Sequence, residues 1–213
     1  MNFNIIDKVR ITTPICSFKF PKLVEPETKF EVAGQYKVMG VMDPQPAETI
    51  TAQLDTLLNE HKASLKQQAP TQSFKLADLP FGFEEVDGKP CFVVKAKMKA
   101  SGMERDGRVW SAAPALFDAK GQPIRNRESL KSMWSGTTGR ISFDACPFYN
   151  AAIGAGITLR LRAVQIIGLV ESGGTAESFG FDEEEGYAAD AETASRLPIP
   201  FDGSSAVIDA GDF

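Results

Sequence analysis

The segment CFVVKAKMKA, residues 91–100, has the clearest β-strand pattern in this chain. Its side chains alternate in character, so one face of the strand is apolar and the opposite face carries three lysines. The apolar set is Phe92, Val94, Ala96, Met98 and Ala100, and the lysines are Lys95, Lys97 and Lys99. The pattern predicts a half-buried strand that presents three positive charges to solvent in a row.

Other segments have a similar strand character, and together they indicate an all-β domain. They are residues 9–20, 29–42, 108–117, 140–146 and 156–170. Residues 21–28 and 79–83 are predicted as loops, and residues 147–150 as a turn, because proline interrupts the strand pattern in each of them.

One helix is predicted, from about Ala47 to Gln68, and two prolines introduce it. Its apolar residues recur at helical spacing and form a single stripe; they are Ile50, Leu54, Leu57, Leu58 and Leu65. One helix among many strands predicts a small barrel or sandwich that uses the helix as a plug.

The polar faces of these strands and the loops between them carry many cations, with aromatic residues nearby. The basic candidates are Lys95, Lys97, Lys99, Arg105, Arg108, Arg140, Arg160 and Arg162, and the aromatic ones are Trp110, Trp134, Phe148 and Tyr149. Such a mixture suits single-stranded nucleic acid, because phosphates bind cations while unpaired bases expose rings for stacking. Two simpler interpretations stay open, namely that the cations only solvate the strands and that the tryptophans only fill the core.

Charge divides the chain into two parts. Residues 177–213 contain ten acidic residues and the single base Arg196, a net charge of about −9, so the rest of the chain is about +4. We therefore predict a domain over residues 1–175 and a disordered acidic tail over residues 176–213 that ends in Phe213. A polyanion with an aromatic tip can occupy a basic groove, which suggests a polyanionic ligand; the alternative is a purely solvating tail.

Several classes of function have little support in the sequence. The three cysteines are far apart in apolar segments and are predicted to be buried thiols, and His61 is the only histidine. No nucleotide-binding or zinc motif occurs, so we expect no cofactor, no metal and no enzymatic activity. The absence of a secretory signal or an apolar membrane span favours the cytoplasm. A metal-dependent nuclease and an interaction or assembly module are kept as alternatives.

A family resemblance rests on the last third of the chain. Residues 147–161 read PFYNAAIGAGITLRL, followed by Gly173-Gly174, Glu185-Gly186-Tyr187 and a terminal Gly211-Asp212-Phe213. This succession resembles the bacteriophage T7-type single-stranded DNA-binding proteins. The segment from about Arg140 onward carries most of the similarity.

The resemblance implies an OB-fold, a five-stranded barrel with a capping helix. It also implies non-sequence-specific binding of single-stranded DNA in phage replication, recombination, repair and strand annealing, in the host cytoplasm. Phe148 would be a stacking residue. Asp209, Asp212 and Phe213 would lie in a tail that competes with DNA and binds the phage DNA polymerase and helicase. A homodimer is a further possibility that the family implies.

Overall fold

The computed structural model describes residues 3–29 and 31–171, which form ten strands and one α-helix. The strands are β1 (Val9–Thr12), β2 (Cys16–Glu27), β3 (Gln35–Met42), β4 (Phe81–Val86), β5 (Lys89–Lys99), β6 (Ser101–Met103), β7 (Val109–Ser111), β8 (Ala115–Phe117), β9 (Thr138–Asn150) and β10 (Gly154–Gly168). The helix α1 is Pro44–Gln68, and a short 3₁₀ turn covers Arg127–Leu130. The predicted class, all-β with one helix, is confirmed; the predicted tail, with Asp209, Asp212 and Phe213, lies outside the described residues.

Five strands pair in a closed circuit. Strand β2 pairs with β3, β3 with β5, β5 with β10, β10 with β9, and β9 with β2. All of these pairings are antiparallel except β5–β10, which is parallel and has the single register pair Lys97–Arg160. The circuit is the pairing pattern of a five-stranded barrel. Strands β1, β4 and β8 extend it on β9, β5 and β10, and β6–β7 form a separate hairpin.

The core lies inside this circuit and under the helix. The alternating apolar residues of the five strands point inward, and the largest fully buried ones include Phe18, Phe92, Phe143, Ile141 and Leu159. The predicted stripe of α1 is buried in the same cluster of residues, apart from Leu65, which is fully buried but outside that cluster. Burial of this apolar area is the main stabilising contribution to the fold.

The helix begins three residues before its predicted start. Pro44 occupies its first turn, where a missing N–H costs no hydrogen bond. Near its other end His61 is fully buried, and its Nε2–H donates to the carbonyl oxygen of Phe148, 2.8 Å away. This bond ties α1 to β9, while His61 Nδ1 has no hydrogen-bond partner within the part of the chain that the structure describes.

Three segments predicted as loops or turns are strands. Strand β2 continues to Glu27, and two register shifts in its pairing with β3 accommodate Pro21 and Pro26. Residues 81–86 form β4 against β5. Residues 147–150 are the end of β9, and the turn follows at residues 151–153. In all three, tertiary pairing overrides the local signal of proline or glycine.

Two further sequence expectations can be compared with the described residues. Cys16, Cys91 and Cys146 are buried free thiols, as predicted. Between residues 3 and 171, leaving out residue 30, no helix is both long and apolar enough to cross a membrane.

Alanine substitution of two phenylalanines of β2 shows which face of the strand contributes to the stability of the fold. Phe18 is fully buried, whereas Phe20 is 67% exposed. We expect Phe18→Ala to lower the free energy of unfolding by about 3–5 kcal/mol, because it leaves a cavity in the core. Phe20→Ala should cost less than about 1 kcal/mol. Urea unfolding followed by circular dichroism measures both, and equal losses would contradict the assigned orientation of β2.

Candidate nucleic-acid interface

Strand register places four cations side by side on the outer face of the circuit. Lys22 of β2 is opposite Lys37 of β3, Lys37 is opposite Lys97 of β5, and Lys97 is opposite Arg160 of β10. Directly opposed residues share a face, and their Cβ atoms are about 5 Å apart. We call these four residues the cationic row. Like charges so placed repel one another, and an anion laid along them relieves the repulsion.

Carboxylates neutralise this surface only in part. Lys37 pairs with Glu27 at 2.5 Å, but the other three members of the row have no carboxylate of the described residues within 4 Å. The neighbours of Lys97 on β5 are paired, Lys95 with Glu84 at 2.5 Å and Lys99 with Glu31 at 2.7 Å. Exposed pairs of this kind contribute about 0–1 kcal/mol, so a phosphate can displace them.

One buried carboxylate organises the arginines at the end of the row. Asp144 of β9 lies opposite both Arg10 of β1 and Arg160 of β10, and its side chain is 2% exposed. It accepts hydrogen bonds from Arg10 Nε at 2.8 Å and Arg162 Nε at 2.7 Å, with Lys8 Nζ at 3.5 Å. The bond from Arg10 is the main cause that lowers the pKa of Asp144 to about 2, against the opposing effect of burial. Asp144 thus fixes two arginines whose side chains stay largely exposed.

The remaining predicted cations lie elsewhere on the surface. Arg140 is exposed on β9, opposite Gln165 and beyond Ser142. Arg105 and Arg108 are in the turn of the β6–β7 hairpin, where Arg108 binds Asp106 at 2.7 Å and Glu104 at 3.0 Å. The structure therefore groups Lys97, Arg160 and Arg162 on neighbouring strands of the circuit, whereas the two hairpin arginines belong to a separate two-stranded sheet.

The predicted aromatic residues have different surroundings. The ring of Trp110 lies against Gly102, where an added Cβ would come within 2.6 Å of it. Tyr149 packs edge-to-face on Phe3 and Phe74, with ring centroids 4.9 and 5.4 Å away. Phe148 is half-buried beside Gly156. Trp134, in contrast, is 58% exposed.

Trp134 lines a groove with a second exposed ring, that of Phe20. The groove has a volume of about 580 Å³, a floor of Leu23, Leu130 and Met133, and a rim of Lys19, Lys22, Lys131 and Glu25. We call it the aromatic groove. Lys22 belongs both to its rim and to the cationic row, so the two features are continuous.

Sequence reasoning missed Phe20, Lys22, Lys37 and Arg10. Alternation along β2 puts Phe20 on the buried face with Phe18, but the register shift after Lys19 turns its ring outward. Lys22 lay in a predicted loop. Arg10 could have been found, because it alternates with the apolar Val9 and Ile11 in a predicted strand.

Solved structures share this architecture. The crystal structure of gp2.5, a single-stranded DNA-binding protein encoded by bacteriophage T7, superposes with a TM-score of 0.66 at 20% identity, covering 86% of this chain and 100% of that one. The single-stranded DNA-binding protein of bacteriophage Enc34, in complex with single-stranded DNA, gives a TM-score of 0.54 at 15% identity over 78% of this chain and 89% of its own. The chain has the fold of phage single-stranded DNA-binding proteins. The resemblance predicted from the last third of the sequence is thereby confirmed at the level of the fold.

No protein-family model matches the sequence, and no curated protein is significantly similar to it. Among residues 3–29 and 31–171 there is no group of three or more His, Cys, Asp or Glu side chains that could hold a metal ion.

The role of Asp144 gives a prediction about acid stability. The pKa of this carboxyl is about 2 in the folded chain, against an ordinary value of 3.8, so the unfolded chain binds more protons between these two values. The stability that this carboxylate contributes, about 2 kcal/mol, is present above about pH 4 and is lost as the pH falls toward 2. We expect Asp144→Asn to be less stable than the parent chain at pH 7 and to match it near pH 2.

Chemical unfolding at a series of pH values measures this difference. Asp55→Asn is the matched control, because Asp55 is exposed on α1 and the same substitution there removes no buried ion pair. A difference between Asp144→Asn and the parent chain that stays constant from about pH 7 to about pH 2 would contradict the role given to Asp144.

Proposed function

We propose that this chain binds single-stranded DNA without sequence preference. The observation that carries the proposal is the cationic row, which crosses four neighbouring strands of one face. Strands lie about 4.8 Å apart, so the row is roughly 14 Å long and matches an extended phosphate backbone better than a single phosphate. Contacts to phosphate fix the position of a strand but carry no sequence information.

The position of the row in the barrel supports the same proposal. OB-folds bind oligonucleotides on the face of their second and third barrel strands. In chain order these are β3 and β5 of the circuit, which carry Lys37 and Lys97. The T7 and Enc34 proteins, which have the same fold, are both single-stranded DNA-binding proteins, and the Enc34 protein was solved with that ligand. We propose Arg10, Arg160 and Arg162 as phosphate contacts at the end of the path.

The biological role that we propose is that of a non-enzymatic phage factor in replication, recombination, repair and strand annealing, in the host cytoplasm. Residues 1–175 would be the binding domain and residues 176–213 a competing tail that recruits DNA polymerase and helicase through Asp209, Asp212 and Phe213. The tail's excess of acidic residues supports the competition, because it makes the tail a polyanion like the ligand. A homodimer remains part of the proposal.

Removing charge from the row should weaken binding and reduce its dependence on salt. We expect Lys97→Gln with Arg160→Gln to lower the affinity for a fluorescent oligodeoxythymidine at least about fivefold and to flatten the log–log salt slope by about 1.4, the value for two phosphate contacts on a single strand. Fluorescence anisotropy between about 50 and 200 mM salt measures both quantities. The control is Lys62→Gln with Lys66→Gln, which removes the same charge from exposed positions of α1. An unchanged slope in the first variant would remove the row from the site.

Removing the tail should strengthen binding at low salt. A chain that ends before Gly180 loses most of the acidic residues. We expect several-fold tighter binding of the same oligonucleotide, with the difference from the full chain shrinking as salt screens the competitor. A full-length variant with these carboxylates changed to amides should behave like the truncated chain. Equal or weaker affinity of the truncated chain would contradict competition by the tail.

A further inference from the structure

The backbone at Phe20 has an unusual conformation that turns its ring outward. Its φ is +51°, a left-handed value that costs a bulky residue roughly 1–3 kcal/mol. Two hydrogen bonds hold this conformation: Ser135 Oγ accepts the N–H of Phe20 at 3.0 Å, and the carbonyl of Phe18 accepts the N–H of Gly136 at 2.9 Å. A strained backbone that exposes an aromatic ring does not improve the stability of the fold, which indicates a functional reason for it.

The backbone that carries the ring on the other side of the groove is also held in place. The backbone N–H of Trp134 donates to the carbonyl of Val170 at 2.8 Å. Thr137 Oγ1 accepts a hydrogen bond from the N–H of Val170 at 3.0 Å, and the backbones of Met133 and Glu171 form an isolated antiparallel β-bridge. The segment that carries Trp134 is therefore fastened to the chain just beyond β10. A backbone that is already fixed loses little conformational entropy when a ligand binds the side chains that it carries.

The chemistry of the groove favours an aromatic anion. Its floor is apolar, and its rim has three lysines against one glutamate; of the lysines, Lys131 is paired with Glu25 at 3.4 Å and with Glu128 at 2.5 Å. Lys22 has no carboxylate partner among the described residues, while Lys19 pairs with the exposed Asp87 at 2.8 Å, a contact that contributes little in water. A volume of about 580 Å³ is within the usual range for sites that hold small organic groups.

We propose that the aromatic groove is a nucleobase-binding site of the DNA path. One unpaired base stacks on Trp134 and Phe20, its phosphate lies near Lys22, and the strand continues from there onto Lys37, Lys97 and Arg160. This proposal rests on the proposed function and extends it, because it joins Trp134, one of the predicted aromatic candidates, with Phe20, which the sequence did not suggest, in a stacking site away from Phe148. The proposal also gives Lys22 a role, because this residue joins the aromatic groove to the cationic row.

Alanine substitution separates the groove from the phosphate path. We expect Phe20→Ala and Trp134→Ala each to weaken binding of oligodeoxythymidine by about 5- to 100-fold, the effect of losing stacking on one base, with the salt slope unchanged. Trp134→Phe should restore part of the affinity. The matched control is Phe83→Ala, which removes a ring that is 60% exposed on β4 and outside the groove. Thermal unfolding of each variant checks that the fold is retained.

A spectroscopic measurement on the full chain is independent of affinity. The chain has two tryptophans, so Trp110→Phe leaves Trp134 as the only one. We expect its fluorescence to fall as oligodeoxythymidine binds, with the same midpoint as the anisotropy, and to change little with an oligomer of abasic sugar phosphates. The anisotropy of the parent chain shows separately whether DNA binds at all.

The outcomes distinguish the two proposals. If the parent chain does not bind the oligonucleotide, the proposed function fails. If it binds, but Phe20→Ala and Trp134→Ala bind like Phe83→Ala and the fluorescence of Trp134 stays constant, the nucleobase site is overturned while the proposed function stands. Quenching of Trp134 by an acidic aromatic peptide but not by DNA would also overturn it, since the groove would then be a protein-binding site.

Discussion

The fold and the surface both depend on the parallel contact between β5 and β10. This contact closes the circuit of five strands, and its one register pair consists of Lys97 and Arg160, two like charges. Closure therefore brings together groups that repel. The inward neighbours of this pair, Ala96, Leu159 and Leu161, are fully buried and supply the apolar contacts that offset the repulsion. The core thus holds the cations at a spacing that they would not adopt on a free chain.

Counter-charges limit this repulsion without removing it. Unit charges 4 Å apart interact by about 1 kcal/mol in water and by more near a protein surface. Repulsion within a row of four cations therefore lowers the free energy of unfolding. Glu27 lowers it at Lys37, and Asp144 lowers it beside Arg160. The two acids differ in kind, because Glu27 is partly exposed and can be replaced by a phosphate, whereas Asp144 is buried and remains between its arginines. If the surface binds a polyanion as proposed, it would exchange the counter-ion at Lys37 while Asp144 keeps the geometry of its arginines.

The local pattern of apolar and polar residues was enough to predict the all-β class, the helix and the lysine face of β5. Each depends on neighbours within a few residues, as in the alternation of residues 91–100 or the apolar stripe of α1. The cationic row could not be predicted in this way, because the proximity of Lys22, Lys37, Lys97 and Arg160 is set by pairing between strands far apart in sequence. Phe20 shows the limit most clearly, since a register shift reverses the face that alternation assigns to it.

The roles proposed for the cationic row and the aromatic groove predict a preference for single-stranded over double-stranded DNA. Phosphates line both kinds of DNA, so the cationic row by itself attracts either. A groove that must receive the face of a base discriminates, because a duplex hides base faces in its stack and opening it costs a few kcal/mol per base. Phe20 and Trp134 are exposed rings at one end of a path of cations that starts at Lys22. In the proposed arrangement charge would supply attraction to any DNA, and the two exposed rings would supply the preference for an unpaired strand.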